Sequence, residues 1–156
     1  KGTEYDYIFI DGVGKTEDYA GMDLNGKVVG SHRGAVCYTL GQRKGLGLAM
    51  GAPVYVCGKD MDKNTVTVGP NEALFSRILR ANDWNWFPFE TLTEPIRVMA
   101  KARYRHSPQP ATVYPMEDGS AKVVFDAPQR AMTPGQTVAL YDGDIVVGGG
   151  IITEVL

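Results

Sequence analysis

Short runs of β-branched and aromatic residues recur along the chain, with turn-forming residues between them. Apolar and polar side chains alternate within these runs, as they do in half-buried β-strands. The dipeptides Asp118-Gly119 and Asp142-Gly143 each separate two runs and favour tight hairpins, because they tolerate a positive φ. No segment has the periodicity of a helix of three turns, so the sequence predicts an all-β protein. The predicted strands are residues 5–10, 35–39, 54–57, 65–68, 96–104, 112–114, 122–125, 137–141, 144–147 and 151–154.

Two β units are predicted, with a boundary between Arg80 and Glu94. The stretch ANDWNWFPFETLTEP between them mixes turn formers with large aromatic residues, which indicates a linker packed against another surface. Six predicted strands follow within about sixty residues, a density typical of a small closed barrel. We therefore expect an unassigned N-terminal segment (1–23), a small central β unit (24–82) and a C-terminal β-barrel (83–156).

Charge is unevenly distributed, although the formal net charge is only −2. This small net charge excludes a protein that coats nucleic acid through bulk charge. Two stretches, residues 31–58 and 96–116, contain no acidic residue. They predict a local anionic partner, and solvated basic loops without a partner are the alternative. Their basic residues are Arg33, Arg43 and Lys44 in the first stretch and Arg97, Lys101, Arg103 and Arg105 in the second.

The sequence YTLGQRKGLGL, residues 38–48, places three polar side chains between two glycines. The glycines allow the backbone to approach another surface closely. Arg43 and Lys44 suit phosphate groups, and Gln42 suits a base or a ribose. An exposed turn between two strands is the alternative.

The sequence KARYRH, residues 101–106, is predicted to continue a strand, with Lys101, Arg103 and Arg105 on one face. Three cations on one face repel one another unless an anion compensates them. An arginine beside Tyr104 combines a phosphate ligand with a ring on which a base can stack. A strand whose basic face is merely solvated is the alternative.

Residues 133–136, TPGQ, form a predicted turn that presents Gln136 at the rim of the barrel. No metal site is predicted, because His32 and His106 lack partners at metal-ligand spacing. Cys37 and Cys57 lie in strand-like runs without a CxxC motif, so we expect buried thiols in a reducing compartment.

The sequence GVGKT, residues 12–16, lacks the first glycine of a phosphate-binding loop and is not expected to bind a nucleotide. No apolar run approaches the ~18 residues that a membrane helix needs, so we expect no membrane partner. The chain begins with a lysine, and we expect it to be a piece of a longer protein.

The order and spacing of five motifs resemble the central and C-terminal β domains of the bacterial tRNA-specific 2-thiouridylases, which are also labelled tRNA methyltransferases. The resemblance covers about residues 24–156. It implies two tRNA-holding units, the second a barrel like those of translation factors. It also implies an N-terminal adenylating domain that uses ATP with Mg to activate the wobble uridine, and a protein that donates the sulfur. The motifs are YTLGQRKGLGL, PVYVCGKD with NTVTVG, KARYRH, PQRAMTPGQ and YDGDIVVGGGII.

By this resemblance, the tRNA contacts of this chain fall on Arg103, Tyr104 and Gln136. A contact role for Gln42, Arg43 and Lys44 is a further hypothesis. The SGGVDS-type loop for ATP and the two catalytic cysteines of the family are absent from this sequence. Residues 1–23 are not expected to match the family's usual approach to this domain, and their role is left open.

We therefore expect no catalytic residue and no cofactor in this chain. Its expected role is to position tRNA in the cytoplasm for a catalytic domain elsewhere in the parent enzyme, through contacts that follow RNA shape. A stand-alone β-barrel that binds another protein is the main alternative. A complete small enzyme that uses Cys37 or Cys57 is a weaker one.

Overall fold

Ten β-strands and two short 3-10 helices form the regular structure of residues 8–11 and 28–156, the part of the chain that the computed structural model describes. The strands fall into a four-stranded sheet and a closed six-stranded barrel, which confirms the predicted all-β class and the barrel. The strands are β1 (Ile8–Asp11), β2 (Val28–His32), β3 (Tyr55–Asp60), β4 (Thr65–Gly69), β5 (Phe75–Trp86), β6 (Ile96–Lys101), β7 (Gln109–Pro115), β8 (Ala121–Arg130), β9 (Thr137–Asp142) and β10 (Ile145–Val155).

The first unit ends at Leu74 and contains the sheet, whose strand order is β2-β1-β4-β3. Strand β1 runs parallel to β2 and antiparallel to β4, and β3 pairs antiparallel with β4. Val66 and Val68 of β4 are fully buried, whereas the alternating residues Thr65 and Thr67 are half-buried. This alternation packs one face of β4 against Val56 of β3.

A 3-10 helix, Ala35–Cys37, replaces the strand predicted over residues 35–39, so that prediction is wrong. The amide of Ala35 donates a hydrogen bond of 2.9 Å to Oδ1 of Asn64, a residue of the β3–β4 turn. This bond anchors the start of the helix with Ala35 buried and Cys37 exposed. The expected burial of Cys37 is therefore also wrong, and Cys57 on β3 is half-buried.

The second unit, Phe75–Leu156, is the barrel, in which the strands follow the order β10-β5-β8-β7-β6-β9. Neighbouring strands are antiparallel, and closure leaves no strand edge unpaired. Every second residue points inward in the middle of β7 and over residues 121–125 of β8, as the period of a strand requires. The largest fully buried barrel side chains are Leu79, Val113, Val123, Phe125, Val138, Leu140 and Ile152.

The barrel has the predicted number of strands, but β5 and β10 do not correspond one to one to predicted strands. Strand β5 runs through the first part of the predicted linker, and the barrel unit begins at Phe75 rather than at residue 83. Strand β10 joins the two strands predicted at 144–147 and 151–154 into one. The number of strands agrees because the unpredicted strand β5 adds one and the merging of two predicted strands into β10 removes one.

The turn-forming residues of the predicted linker belong to a bulge within β5. Asp83 has a φ of 49°, and the pairing with β10 shifts register between Asn82 and Asn85. Trp84, within the bulge, and Trp86, after it, stack on each other and pack against the barrel core. The polar residues therefore mark an irregularity of the strand and not its end.

The predictions for residues 1–23, including the sequence GVGKT, lie outside the described residues apart from residues 8–11. Among the residues described, no helix has the length and apolar character needed to cross a lipid bilayer.

Candidate nucleic-acid interface

An open cleft of about 510 Å³ lies at the end of the barrel where β6 and β8 finish and β7 and β9 begin. The pairing of Lys101 with Ala139 places the end of β6 beside the start of β9. Residues 101–104 and 135–137 line the cleft together with Ala139 and Tyr141, whose side chains alternate with buried ones along β9. Two connections that are distant in sequence thus form one site.

Residues 102–106 form a turn, so the predicted continuation of the strand through KARYRH is wrong. Ala100 pairs with Gln109, so the chain must reverse its direction within residues 101–108. The amide of His106 donates a hydrogen bond of 3.1 Å to the carbonyl oxygen of Arg103, which closes the turn. The turn leaves Tyr104 92% exposed, and Nζ of Lys101 lies 5.5 Å from the centroid of the Tyr104 ring.

Gln136 is held at the rim of the barrel by its backbone. Its amide donates a 3.2 Å hydrogen bond to the carbonyl oxygen of Thr133, and its own carbonyl oxygen accepts one of 2.8 Å from the amide of Ile152. Gly135, with a φ of 83°, donates a third bond of 2.8 Å to the carbonyl oxygen of Ile152. The exposed side chain of Gln136 therefore projects from a fixed turn into the cleft.

The structure brings together the three residues that the sequence singles out in this unit, Arg103, Tyr104 and Gln136. Their role as tRNA contacts stays a prediction. Tyr141 and Ala139 also line the cleft but are not among the predicted site residues. The alternation of β9 from Thr137 onward is the signal that places them on the same outward face.

The electrostatic environment of the cleft is cationic. Lys101 and Arg103 form no ion pair with a carboxylate of the described residues, whereas Arg97 is paired with Asp126. Partial burial lowers the pKa of His106 below its ordinary value of 6.5, and the nearby positive charges of Arg103 and Arg130 lower it further. The imidazole is therefore neutral at pH 7, and the fixed charges at this end of the barrel come from lysine and arginine.

The first unit carries the other predicted contact residues, Gln42, Arg43 and Lys44. The side chain of Gln42 braces its own loop, because Oε1 accepts a hydrogen bond of 3.0 Å from the amide of Thr39. Nε2 donates a second bond of 3.0 Å to the carbonyl oxygen of Lys44. Arg43 and Lys44 are exposed, and Arg43 borders a second cleft of about 580 Å³ formed with residues 45–54. The loop thus offers two cations, while Gln42 maintains its shape.

Two family models match the chain. Residues 9–70 match a tRNA methyl transferase PRC-barrel domain, and residues 76–152 match an aminomethyltransferase beta-barrel domain. The two matches fall on the sheet unit and on the barrel unit, respectively. The first match begins at residue 9, so the expectation that residues 1–23 do not match the family is wrong for residues 9–23.

Several relatives are about 50% identical to this chain over the aligned residues. The tRNA-specific 2-thiouridylase of Acetivibrio thermocellus is 53% identical over 131 residues, which are 84% of this chain and 36% of the relative. Those of Halothermothrix orenii and Clostridioides difficile are 52% and 49% identical, over 85% and 86% of this chain and 37% of each relative. The chain therefore spans little more than a third of the length of these relatives.

Proposed function

The chain belongs to the family of the tRNA-specific 2-thiouridylases, and from this we propose that its β-barrel binds tRNA and positions it for a catalytic domain of the parent protein. The observation that supports this most is the cleft at the end of the barrel. The cleft combines an arginine and an exposed aromatic ring, Arg103 and Tyr104, with the amide of Gln136. The two connections that carry them are more than thirty residues apart in the sequence.

The chemistry of these side chains fits an RNA ligand. The guanidinium of Arg103 can hold a phosphate in a bidentate manner, and Lys101 adds a point charge beside it. Neither cation is neutralised by a described carboxylate, so an anion from outside relieves their repulsion. Contacts to phosphates fix the register and orientation of a nucleic acid on a protein without reading its sequence. Such contacts suit a unit whose task is positioning.

For the parent protein we propose a tRNA uridine 2-sulfurtransferase that forms 2-thiouridine at the wobble position. ATP with Mg would be held by an N-terminal adenylating domain, and a separate protein would donate the sulfur. The two β units of this chain would supply neither the nucleotide site nor the sulfur-carrying cysteines. We accordingly expect this chain alone to be inactive in thiolation, and we place the reaction in the cytoplasm.

The test is a fluorescence anisotropy titration of the 156-residue chain with tRNA at low and at moderate salt. We expect binding that weakens with salt, because release of counterions from the RNA contributes to affinity. Replacement of Arg103 by alanine should weaken binding by ~1–3 kcal/mol if the guanidinium holds a phosphate. Lys122→Ala is the matched control, since Lys122 lies at the start of β8, at the other end of the barrel.

Two results would contradict the proposal. Equal binding of tRNA and a neutral polymer would favour the stand-alone protein-binding barrel instead. Thiolation of tRNA by this chain with ATP and a sulfur donor would show that it is a complete enzyme.

A further inference from the structure

We propose that the end of the barrel opposite the cleft is a docking surface for a separate protein, which binds there through a basic segment with a large apolar side chain. We call this surface the acidic end and define it by the connections β5–β6, β7–β8 and β9–β10, residues 87–95, 116–120 and 143–144. The inference goes beyond the proposed RNA binding, because it concerns other residues and another class of partner.

Charge is segregated between the two ends of the barrel. The three connections of the acidic end, together with Asp142 at the end of β9, contain six carboxylates and no lysine or arginine. The connection β6–β7 at the cleft end contains two arginines and no carboxylate. Asp118 is paired with Arg80, and the remaining five carboxylates form no ion pair among the described residues: Glu90, Glu94, Glu117, Asp142 and Asp144. A surface with this excess of negative charge repels RNA and attracts a partner with positive charge.

The acidic end is electrostatically separate from the cleft. Strand β9 runs from Thr137 at the cleft to Asp142 at the acidic end. A strand rises about 3.3 Å per residue, so the two ends lie about 17 Å apart along β9. The Debye length is about 8 Å at physiological ionic strength, so exposed charges at one end are largely screened from those at the other. A protein at the acidic end therefore does not compete electrostatically with RNA at the cleft.

An apolar patch lies at one corner of the acidic end and consists of Phe87, Ile145 and Val146. Their side chains are 64%, 69% and 43% exposed, respectively. The amide of Phe87 donates a hydrogen bond of 3.0 Å to the carbonyl oxygen of Val147, which places Phe87 beside the start of β10. Neighbouring apolar side chains that are exposed to this extent are typical of interaction surfaces.

The packing of its neighbours holds Phe87 in this exposed position. Trp86 and Phe89 pack against the barrel core, and their ring centroids are 5.2 Å apart. Phe87 follows Trp86 directly, so its ring remains on the outside of the barrel. An aromatic side chain whose backbone is fixed before binding loses little conformational entropy on binding. Aromatic anchors of this kind contribute much of the affinity at protein interfaces.

The carboxylates lie directly beside the apolar patch. Asp142 pairs with Ile145 in the ladder between β9 and β10, and Asp144 precedes Ile145 in the chain. An apolar centre with polar groups at its edge is the usual anatomy of a protein interface. The partner that complements it presents a large apolar side chain flanked by lysine or arginine.

The charge also decides between the possible protein partners. A second copy of this chain, placed symmetrically, would bring the same negative charges together and is disfavoured. The domain of the parent that acts on the RNA has to reach the cleft end, which leaves the acidic end to a separate protein. This choice between the parent and a separate protein rests on the proposed function.

The test selects peptides from a random library on the immobilised 156-residue chain and measures binding of the most enriched peptide by fluorescence anisotropy. We expect a large apolar residue flanked by lysine or arginine, and an affinity that falls with salt. Phe87→Ser and Ile145→Ser should each weaken peptide binding by about 5- to 30-fold, as for central residues of an interface. Asp142→Asn with Asp144→Asn should reduce the salt dependence, since asparagine also suits the turn. Val36→Ser is the matched control, because Val36 is 75% exposed in the sheet unit.

The other possible occupants give different results. The full-length parent protein should bind the peptide with unchanged affinity, and loss of binding there would overturn the assignment to a separate protein. Saturating tRNA should leave peptide binding unchanged, whereas competition would place the peptide at the cleft and overturn the inference. Failure to enrich peptides, or binding that Phe87→Ser and Ile145→Ser leave unchanged, would overturn the inference without affecting the proposed function. Absence of tRNA binding by the unmodified chain would overturn the proposed function, and the peptide affinities of the chain and of the full-length parent would still test the surface.

Discussion

Replacement of Gly150 by alanine tests how closely β10 packs against Trp84 of β5. A Cβ at this position would lie 2.7 Å from Cδ2 of Trp84 and 2.9 Å from the carbonyl oxygen of Asn82. Asn82 is paired with Ile151, so its backbone cannot retreat without disturbing the ladder between β5 and β10. The Trp84 ring is also restricted, because it stacks on Trp86 with centroids 4.6 Å apart and planes inclined by 8°. The added methyl group therefore cannot be accommodated without displacing the backbone of Asn82 or the ring of Trp84, and either displacement lowers the free energy of unfolding.

Excess volume of this kind in a packed region costs about 1–3 kcal/mol of unfolding free energy. For a unit of the size of the barrel, each 1 kcal/mol lowers Tm by about 4–8 °C, so we expect a decrease of about 4–24 °C. The reduced chain entropy of an alanine in the unfolded state offsets only about 0.4–1 kcal/mol. Gly149→Ala is the matched control, because the nearest atom to its Cβ is 3.3 Å away, at the carbonyl oxygen of Val138.

Thermal and urea unfolding can be followed by tryptophan fluorescence, which reports on the barrel alone because both tryptophans of the chain lie in β5. In the double variant Trp84→Leu/Gly150→Ala, the cost of the alanine should fall, since the ring that it meets is smaller. A midpoint for Gly150→Ala equal to that of Gly149→Ala would refute the reasoning. So would strict additivity in the double variant.

Two further predictions concern other parts of the structure. The low pKa of His106, caused by partial burial and by Arg103 and Arg130, means that the unfolded chain takes up this proton first as the pH falls. The stability that the neutral imidazole contributes is therefore lost as the pH falls below about 6.5. NMR titration should show the His106 pKa rising in Arg103→Ala or on addition of RNA phosphate. An unchanged pKa in both cases would argue against an influence of the Arg103 charge on His106. In the first unit, Asn64 combines a φ of 50° with the hydrogen bond to Ala35, so Asn64→Ala should cost about 1–2 kcal/mol in urea unfolding. Asn64→Gly should cost less because glycine tolerates the positive φ, and equal losses would show that the backbone conformation contributes nothing.

The strands predicted best from the sequence are those whose alternation is uninterrupted. In β4 and β9 the predicted and observed bounds differ by a single residue at the C-terminal end, because buried residues alternate with half-buried or exposed ones along each strand. The hairpin turns at Asp118-Gly119 and Asp142-Gly143 were also predictable, since each glycine takes a positive φ.

Strand β5 was not predictable by alternation alone. Its bulge at Asp83 consists of turn-forming residues, and only the long-range pairing with β10 keeps it in the barrel. The prediction for the KARYRH segment is wrong for the opposite reason. Its local pattern suits a strand, whereas the pairing of Ala100 with Gln109 requires a turn. Local sequence therefore predicts regular strands, and tertiary pairing decides where they bend or end.

In the candidate site, too, the residue types are predicted from local sequence, whereas their proximity is decided by tertiary pairing. Charge and residue type single out Arg103, Tyr104 and Gln136, but the sequence contains no sign that residues 103 and 136 face one cleft. That proximity comes from the antiparallel pairing of β6 with β9. Gln42 had equal standing as a polar loop residue, and only the structure shows that its amide is used within its own loop.

The claim that the barrel binds tRNA through Arg103 is tested most directly by the dependence of the binding constant on salt. Each phosphate contact contributes about 0.7–0.9 to the magnitude of the slope of log K against log salt concentration. We predict that Arg103→Ala lowers this magnitude by about one contact, while Lys122→Ala leaves it unchanged. An Arg103→Ala variant that binds tRNA with the slope and affinity of the unmodified chain would contradict the account.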